Sequence, residues 1–279
     1  MALTDQSTRI RSGEELDASL IDPYLKAHIP DLTGTPQISQ FPGGASNLTY
    51  LLEYPQQEFV LRRPPFGHKA KSAHDMGREF RILNQLRDGF PYCPKAYVHC
   101  TDESVIGAEF YVMERVNGII LRSEMPAELN FSAEQTRELC KSFIDKMVEL
   151  HNVDYQACGL GDLGKPEGYV QRQIGGWSDR YDKALTPDAP LWEPVKAWLK
   201  DKMPADHHKP GIVHNDYRFD NVILSPQNPS QIIGVLDWEL TTIGDPLMDL
   251  GNTLAYWIEA ADPAPVQLMR RQPSNAPGM

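Results

Sequence analysis

The feature that most limits what this chain can fold into is a change of hydrophobic period near Asn117-Gly118. Before it, short runs at 37–41, 48–54, 58–63, 96–101 and 108–116 have the length and composition of strands, and Tyr54-Pro55-Gln56-Gln57 reads as the turn of a hairpin. One helix, over 72–86, interrupts them; Phe80, Leu83 and Leu86 recur at three-residue steps, Ile82 widens the stripe and Glu79 lies beside it. Beyond residue 118 the period is helical. Ser132-Ala133-Glu134-Gln135 has the form of a capping box, opening a helix with Leu139, Phe143, Met147 and Leu150 on one face. Further helices are expected at 169–184, with Trp177 and Tyr181 on one face, and at 191–202, with Trp192, Val195 and Leu199 in register. Asp245-Pro246 starts another, continued by Leu247, Leu250, Leu254 and Trp257.

The expected organisation is an α+β, two-lobed chain: an arm over 1–36, a sheet-rich lobe over 37–117, and a helical lobe over 118–279, with a cleft between the lobes. The arm should hold one short helix at 14–27, interrupted by Pro23, and the tail from 260 shows no recognisable final element. Aromatic helix faces such as Trp177, Tyr181, Tyr256 and Trp257 are read first as core, with an acceptor pocket as the alternative.

A length of 279 residues suffices for a large core, and the net charge of −11 argues against a nucleic-acid partner. The charge divides into −3 over the first 118 residues and −8 over the rest, which fits a solvated acidic surface or a cationic substrate. No apolar run is long enough to span a membrane, and residues 1–11 lack the apolar stretch of a signal peptide. Cys93, Cys100, Cys140 and Cys158 form no CxxC pair, as expected of reduced thiols in a cytoplasmic protein.

Chemistry concentrates in Ile212-Val213-His214-Asn215-Asp216-Tyr217-Arg218-Phe219-Asp220-Asn221-Val222-Ile223-Leu224, answered by Gly234-Val235-Leu236-Asp237-Trp238-Glu239. Short apolar runs bracket a loop crowded with charge, a common setting for a functional site. If the strand ending at Asp237 pairs with 222–224, its carboxylate returns beside Asn221. A carboxylate and an amide oxygen suit a hard octahedral ion such as Mg²⁺, which takes water and substrate phosphates as its other ligands. Asp216, left outside that pair, can accept a proton from an attacking hydroxyl. His214 reads as a hydrogen-bonded scaffold or a ligand, Arg218 as a phosphate contact or a partner of Asp220, and Glu239 as a metal ligand or its support. Pro42-Gly43-Gly44-Ala45-Ser46-Asn47, between the first two strands, is either a plain hairpin loop or one that wraps phosphate.

His214-x-Asp216-x4-Asn221 followed by Asp237 resembles the catalytic and metal-binding segments of the aminoglycoside phosphotransferase and choline kinase family, small-molecule relatives of the protein kinases. The resemblance runs from about residue 38 to 257 and implies a protein-kinase-like fold. It implies Asp216 as base, Asn221 and Asp237 as Mg²⁺ ligands, and ATP as phosphoryl donor to a small hydroxyl-bearing substrate. Gly43, Gly44, Ser46 and Asn47 would cover the phosphates. Arg62, paired with Glu79, would hold the α/β-phosphates, and the backbone from Glu114 to Val116 would meet adenine. Phe41-Pro42-Gly43-Gly44-Ala45-Ser46-Asn47-Leu48-Thr49-Tyr50, Val60-Leu61-Arg62-Arg63-Pro64-Pro65 and Val235-Leu236-Asp237-Trp238-Glu239 are similar to one branch of the family. It includes candidate bacterial aminoglycoside phosphotransferases and the kinase-like domain fused to some acyl-CoA dehydrogenases. Two departures stand out. Arg62 replaces the usual strand lysine, keeping charge but changing shape and reach, and the C-terminal helices are expected to be shortened. They leave a nucleotide-binding pseudokinase as the chief rival, and a metal-dependent phosphohydrolase using His214 and Asp216 as a lesser one.

Overall fold

The computed structural model describes residues 3–42, 47–66, 75–207 and 209–279. Its first part is a five-stranded antiparallel sheet: β1 (Gln37–Gln40), β2 (Leu48–Glu53), β3 (Glu58–Arg63), β4 (Ala96–Cys100) and β5 (Phe110–Glu114), in the order β1-β2-β3-β5-β4. The Tyr54–Gln57 turn closes the β2–β3 hairpin, with Tyr54 N–H donating to Gln57 C=O at 3.0 Å. Side chains on a strand point alternately to its two faces, and β3 divides its residues accordingly. Phe59 and Leu61 join Tyr50, Leu52 and Val112 in one apolar layer. Val60 packs in the opposite layer, the layer of the helix α2 (Met76–Leu86), and Arg62 reaches that helix from the same face.

The first layer is closed by α1 (Ala18–His28), whose Ile21 and Leu25 are fully buried against the sheet. The helix begins four residues later than the sequence suggested and continues through Pro23. Asp17 caps it, accepting from Ser19 N–H, and the buried Ile21 and Leu25 on either side of the proline hold the helix together despite the lost hydrogen bond. Asp75 caps α2 by accepting from Arg78 N–H.

The second part is built on α3 (Ala133–His151), opened by the expected capping box between Ser132 and Gln135, with Leu139, Phe143, Met147 and Leu150 buried. Two short ribbons lie against it: β6 (Gly211–Val213) with β9 (Thr242–Gly244), and β7 (Val222–Leu224) with β8 (Ile232–Val235). The remaining helices are α4 (Tyr169–Ala184), α5 (Glu193–Asp201), α6 (Pro246–Ala255) and the short α7 (Ala264–Gln267). Gly118 joins the two parts. A Cβ there would sit 2.5 Å from Leu224 O and 2.3 Å from Ile223 Cγ2, and the next residue, Ile119, bridges to Leu224. One apolar cluster runs from α2 through Ile119 to α3 and β6–β8, so the parts share a core.

Two expectations need correction. Trp177 and Tyr256 are not core: they are 62% and 37% exposed, because the face of α4 that carries Trp177 and the end of α6 that carries Tyr256 meet solvent. The tail is not featureless either. Gln272 is buried and accepts from Phe219 N–H at 3.1 Å while donating to Tyr256 C=O, so residues beyond α6 return to the charged loop. Among the described residues, no helix is long and apolar enough to cross a membrane.

Candidate active site

Between β6 and β7 the chain must turn and leave its polar groups satisfied without strand partners. Asn215 does so at φ +62°, and the buried carboxylate of Asp249, on α6, gathers the exposed main-chain donors. Oδ2 of Asp249 accepts from His214 N–H at 2.9 Å and Oδ1 from Asn215 N–H at 2.8 Å; His151, at the end of α3, places Nε2 2.8 Å from Oδ2. Burial would raise this carboxyl, but the His151 hydrogen bond and charge, the nearby His214 and the loop N–H outweigh it and hold it below the usual range. His214 is the loop's inner post. Its Nε2 lies 2.9 Å from Leu236 O and its Nδ1 accepts from Asp216 N–H at 3.3 Å, which assigns the ring proton to Nε2. It serves as scaffold. Below it Tyr217 donates to Phe143 O at 3.0 Å, Thr253 donates to Tyr217 O at 2.8 Å, and Phe219 stacks on Phe143 at 4.2 Å.

This support places Asp216 at the mouth of the loop. Its carboxylate accepts from Asn221 Nδ2 at 2.9 Å, and Arg218 comes within 3.2 Å. Burial raises the Asp216 carboxyl above its ordinary range, against the pull of Arg218 and His214. Arg218 also meets Asp220, the acid the sequence offered it, with Nη2 at 3.2 Å, and its guanidinium covers the Tyr256 ring.

Asp237 arrives as the β7–β8 ribbon requires. Val222 pairs with Val235, Leu236 N–H donates to Asn221 O at 2.8 Å, and Asp237 comes next at φ +66°. A non-glycine residue held left-handed is a local strain that the fold sustains elsewhere. Here Trp238 is the anchor: it is buried and donates from Nε1 to Val235 O at 2.9 Å.

Arg62 crosses to this segment from the sheet. Nη1 donates to Glu79 at 2.7 Å and Nη2 to Asp237 at 3.2 Å, with Glu239 4.0 Å away. Burial alone would lower Arg62, yet Glu79, Tyr111 and Asp237 raise it well above its ordinary value. The Glu79 carboxyl is pushed up by burial while Arg62 pulls it down. Asn47 donates to Glu239 at 3.0 Å, which ties the end of the 42–47 connection to the same segment; Gly43, Gly44 and Ser46 lie outside the described residues.

Arg62, Glu114, Val116, Asn221 and Asp237 all line one cleft. Val60, Met113, Ile223 and Leu236 give it apolar walls, and Asp5, Arg62, Arg115, Arg122, Asp220 and Asp237 line it with charge. Glu114 N–H is taken by Lys95 O at 2.8 Å. Among the described residues no group of three His, Cys, Asp or Glu could hold a metal ion. The pair of Asn221 and Asp237 offers one amide and one carboxylate oxygen, a hard donor set that fits Mg²⁺ completed by phosphate and water and fits Zn²⁺ poorly. The phosphohydrolase alternative loses its metal, because both ring nitrogens of His214 already have partners.

Several supporting residues carry no signal in the sequence that singles them out. Arg78, one residue before Glu79, donates to Glu239 O at 2.9 Å and to Thr241 O, clamping α2 to the Asp237 segment. His151 and Asp5, the latter lining the cleft from the arm, belong with it. A second groove runs between α4 and α5, lined by Ile174, Trp177, Tyr181, Trp192, Leu199 and Met248. Tyr169, at the start of α4, donates to Asn215 at 3.2 Å, which ties this helix to the Asp216 loop.

Known proteins resemble this chain in sequence and fold. A family model described as "Phosphotransferase enzyme family" matches residues 37–278. The chain is 33% identical over 262 residues to acyl-CoA dehydrogenase family member 11 of Gallus gallus, covering 92% of this chain and 33% of that protein. It is 34% identical over 248 residues to the Homo sapiens protein of the same name, covering 87% and 31%. The chain thus spans about a third of the length of these relatives. A crystal structure from Ralstonia eutropha JMP134, named as a candidate aminoglycoside phosphotransferase, superposes with a TM-score of 0.75 at 34% identity, covering 88% of this chain and 71% of that one. At 18% identity, a streptomycin–ATP–APH(2")-IIa ternary complex shares the fold with a TM-score of 0.58, covering 84% and 74%. The two-lobed architecture is therefore protein-kinase-like, and the chain belongs to the phosphotransferase enzyme family.

Proposed function

We propose that this protein transfers the γ-phosphoryl group of ATP to a hydroxyl of a small molecule, with residues 37–117 as the nucleotide lobe, 118–279 as the catalytic lobe and 1–36 as an arm. One observation carries the proposal. Asp216 and Asn221 are hydrogen-bonded to each other beside a cleft that Asn221 and Asp237 line, and Arg62, anchored on Glu79, reaches Asp237 from the opposite lobe.

In the proposed mechanism Asp216 accepts the proton of the attacking hydroxyl, and Asn221 and Arg218 orient its carboxylate. A carboxyl raised by burial is a stronger base than an exposed one. Arg62 receives the α/β-phosphates, kept in place by Glu79, and the main chain at Glu114 and Val116 meets the base. Asn221 and Asp237 would hold a Mg²⁺ ion, which when bound neutralises the charge of the phosphates. Asn47 with Gly43, Gly44 and Ser46 would close over them.

The acceptor these features favour is a hydroxyl on an acyl compound. The relatives named above are called acyl-CoA dehydrogenases, and the chain matches only about a third of their length. The apolar groove between α4 and α5 suits a hydrocarbon chain better than a polycationic aminoglycoside. The four cysteines, all free thiols, fit work in the cytoplasm.

The test is ATP consumption, in the presence of Mg²⁺, over a library of hydroxyl compounds that includes hydroxyacyl thioesters and hydroxy acids. Wild type should turn over at least one, and Asp216→Ala should lose about 10²- to 10⁴-fold in kcat. Equal turnover by both proteins removes Asp216 from the mechanism. The contact from Arg62 to Asp237 supports a single rival, a nucleotide-binding pseudokinase in which the arginine occupies the carboxylate. That rival requires thermal stabilisation by ATP with no transfer to any acceptor.

A further inference from the structure

The segment before α1 does more than cover the sheet. Thr8 and Gln40 exchange main-chain hydrogen bonds of 2.7 and 3.0 Å, adding a short rung beyond β1, and Ser39 donates to Ser7 at 2.7 Å. Three residues earlier the arm reaches the connection between the lobes. Asp5 N–H donates to Gly118 O at 3.0 Å, and Arg115 Nη2 donates to Asp5 O at 2.7 Å. Both main-chain groups of Asp5 are therefore fixed, and Arg122 holds its side chain.

That side chain lines the cleft. Arg122 Nη2 lies 3.0 Å from its Oδ1, and Oδ2 accepts no hydrogen bond among the described residues. Three other carboxylates line the same cleft, and each already meets a cation; Asp237 faces Arg62. Glu114 accepts from Lys95 N–H and faces Arg87, while Asp220 pairs with Arg218 through Oδ2 and keeps its other oxygen buried, out of reach of a ligand. Asp5 is thus a pinned carboxylate with an oxygen to spare, beside Gly118, two residues past the Val116 position assigned to the base. A nucleotide with its base between Val60 and Leu236 and its phosphates toward Arg62 must pass its sugar between those ends. A carboxylate is the natural acceptor for a pair of vicinal hydroxyls, as dinucleotide-binding folds use it for ribose, and hydrogen bonds to a charged acceptor are the stronger kind.

The geometry points to Asp5 as the ribose-reading residue of the nucleotide site, so that the N-terminal arm forms one wall of that site. The inference rests on the phosphotransferase reading and sharpens it. Arg122 orients the carboxylate, and Gly118 and Arg115 hold the main chain from which it projects.

The test is calorimetric binding of ATP, 2'-deoxy-ATP and 3'-deoxy-ATP, each with Mg²⁺, to the full chain and to Asp5→Ala and Asp5→Asn. Wild type should favour ATP over at least one deoxy analogue by about tenfold or more, the value of one hydrogen bond to a charged group. Asp5→Ala should bind ATP correspondingly more weakly and bring the ratio close to one. Asp5→Asn keeps both main-chain anchors and one acceptor oxygen, so its ratio should fall between the other two. The proposal is overturned if wild type binds all three nucleotides equally, or if the two variants keep the wild-type ratio. Failure of wild type to bind any nucleotide instead removes the phosphotransferase reading itself.

Discussion

Asp249→Ala tests how the Asp216 loop is held. The wild-type carboxylate, with no exposed surface, accepts from two main-chain N–H groups and faces the His151 ring. Alanine leaves those donors buried without an acceptor, and each such donor costs about 1–3 kcal/mol. Neighbouring losses do not add fully, so the expected total is about 4 kcal/mol. For a chain of this size that is a fall in melting temperature of roughly 10 °C. Asp249→Asn keeps one acceptor oxygen but turns an NH₂ toward donors, and should lose about half as much. Because the loop carries Asp216, either variant should also lower kcat, with a displacement of about 1 Å sufficient for roughly a hundredfold loss.

The pH dependence has a definite sign. The folded-state pKa of Asp249 is depressed, so the unfolded chain binds its proton first as pH falls. The stability it contributes is complete above the unfolded value of about 4 and is lost as pH falls from there through the folded value. Scanning calorimetry of wild type and both variants, at neutral pH and at successive values below about 4, should show the gap in melting temperature narrowing with acidity. An Asp249→Asn protein melting within about 2 °C of wild type at neutral pH, with full kcat, would refute the account of the loop.

Three further substitutions probe separate parts of the molecule. Arg62→Ala strands a buried Glu79 and should cost about 3–5 kcal/mol by thermal melting; Arg62→Ala with Glu79→Ala should recover part of it, and no recovery would dissociate the pair. Gly118→Ala places a methyl against Leu224 O and Ile223, for an expected loss of about 1–3 kcal/mol in denaturant titration; an unchanged midpoint would mean the contact relaxes at no cost. Trp177→Ala with Trp192→Ala removes exposed rings, so stability should move by roughly 0.5 kcal/mol or less per site. If the α4–α5 groove receives the acceptor, KM for the acceptor should rise in this variant while KM for ATP stays constant.

Local rules made much of this structure legible. Alternation along β3 put Arg62 on the face of α2, the Ser132–Gln135 capping box opens α3, and the β7–β8 ribbon carries Asp237 to Asn221. What stayed hidden depends on which side of an element the rest of the chain needs. The pattern of α6 suggests a buried stripe of Leu247 and Leu254, yet these are exposed while Asp249 and Thr253 are buried. Periodicity identifies a face; it does not reveal that a loop 34 residues upstream lacks hydrogen-bond acceptors and requires the polar one. Trp177 misled for the same reason, since its spacing with Tyr181 is that of core residues. Asp5 carries no periodic signal, and its place in the cleft depends only on partners at 115, 118 and 122.

Those partners also set an order of events. During synthesis, residues 5–8 emerge before their partners: Ser7 and Thr8 can pair once Ser39 and Gln40 appear, but Asp5 lacks its final contacts until the chain has reached Arg122. The entropy of closing so long a loop grows only slowly with its length, so the delay is one of sequence and time and carries little added thermodynamic cost. Once docked, residues 5–8 are held mainly by hydrogen bonds near the surface, unlike α1 with its buried Ile21 and Leu25, and such contacts open locally without global unfolding. Amide exchange at Asp5 and Thr8 should therefore run ahead of exchange in β2 and β3, and nucleotide that touches the arm should slow it.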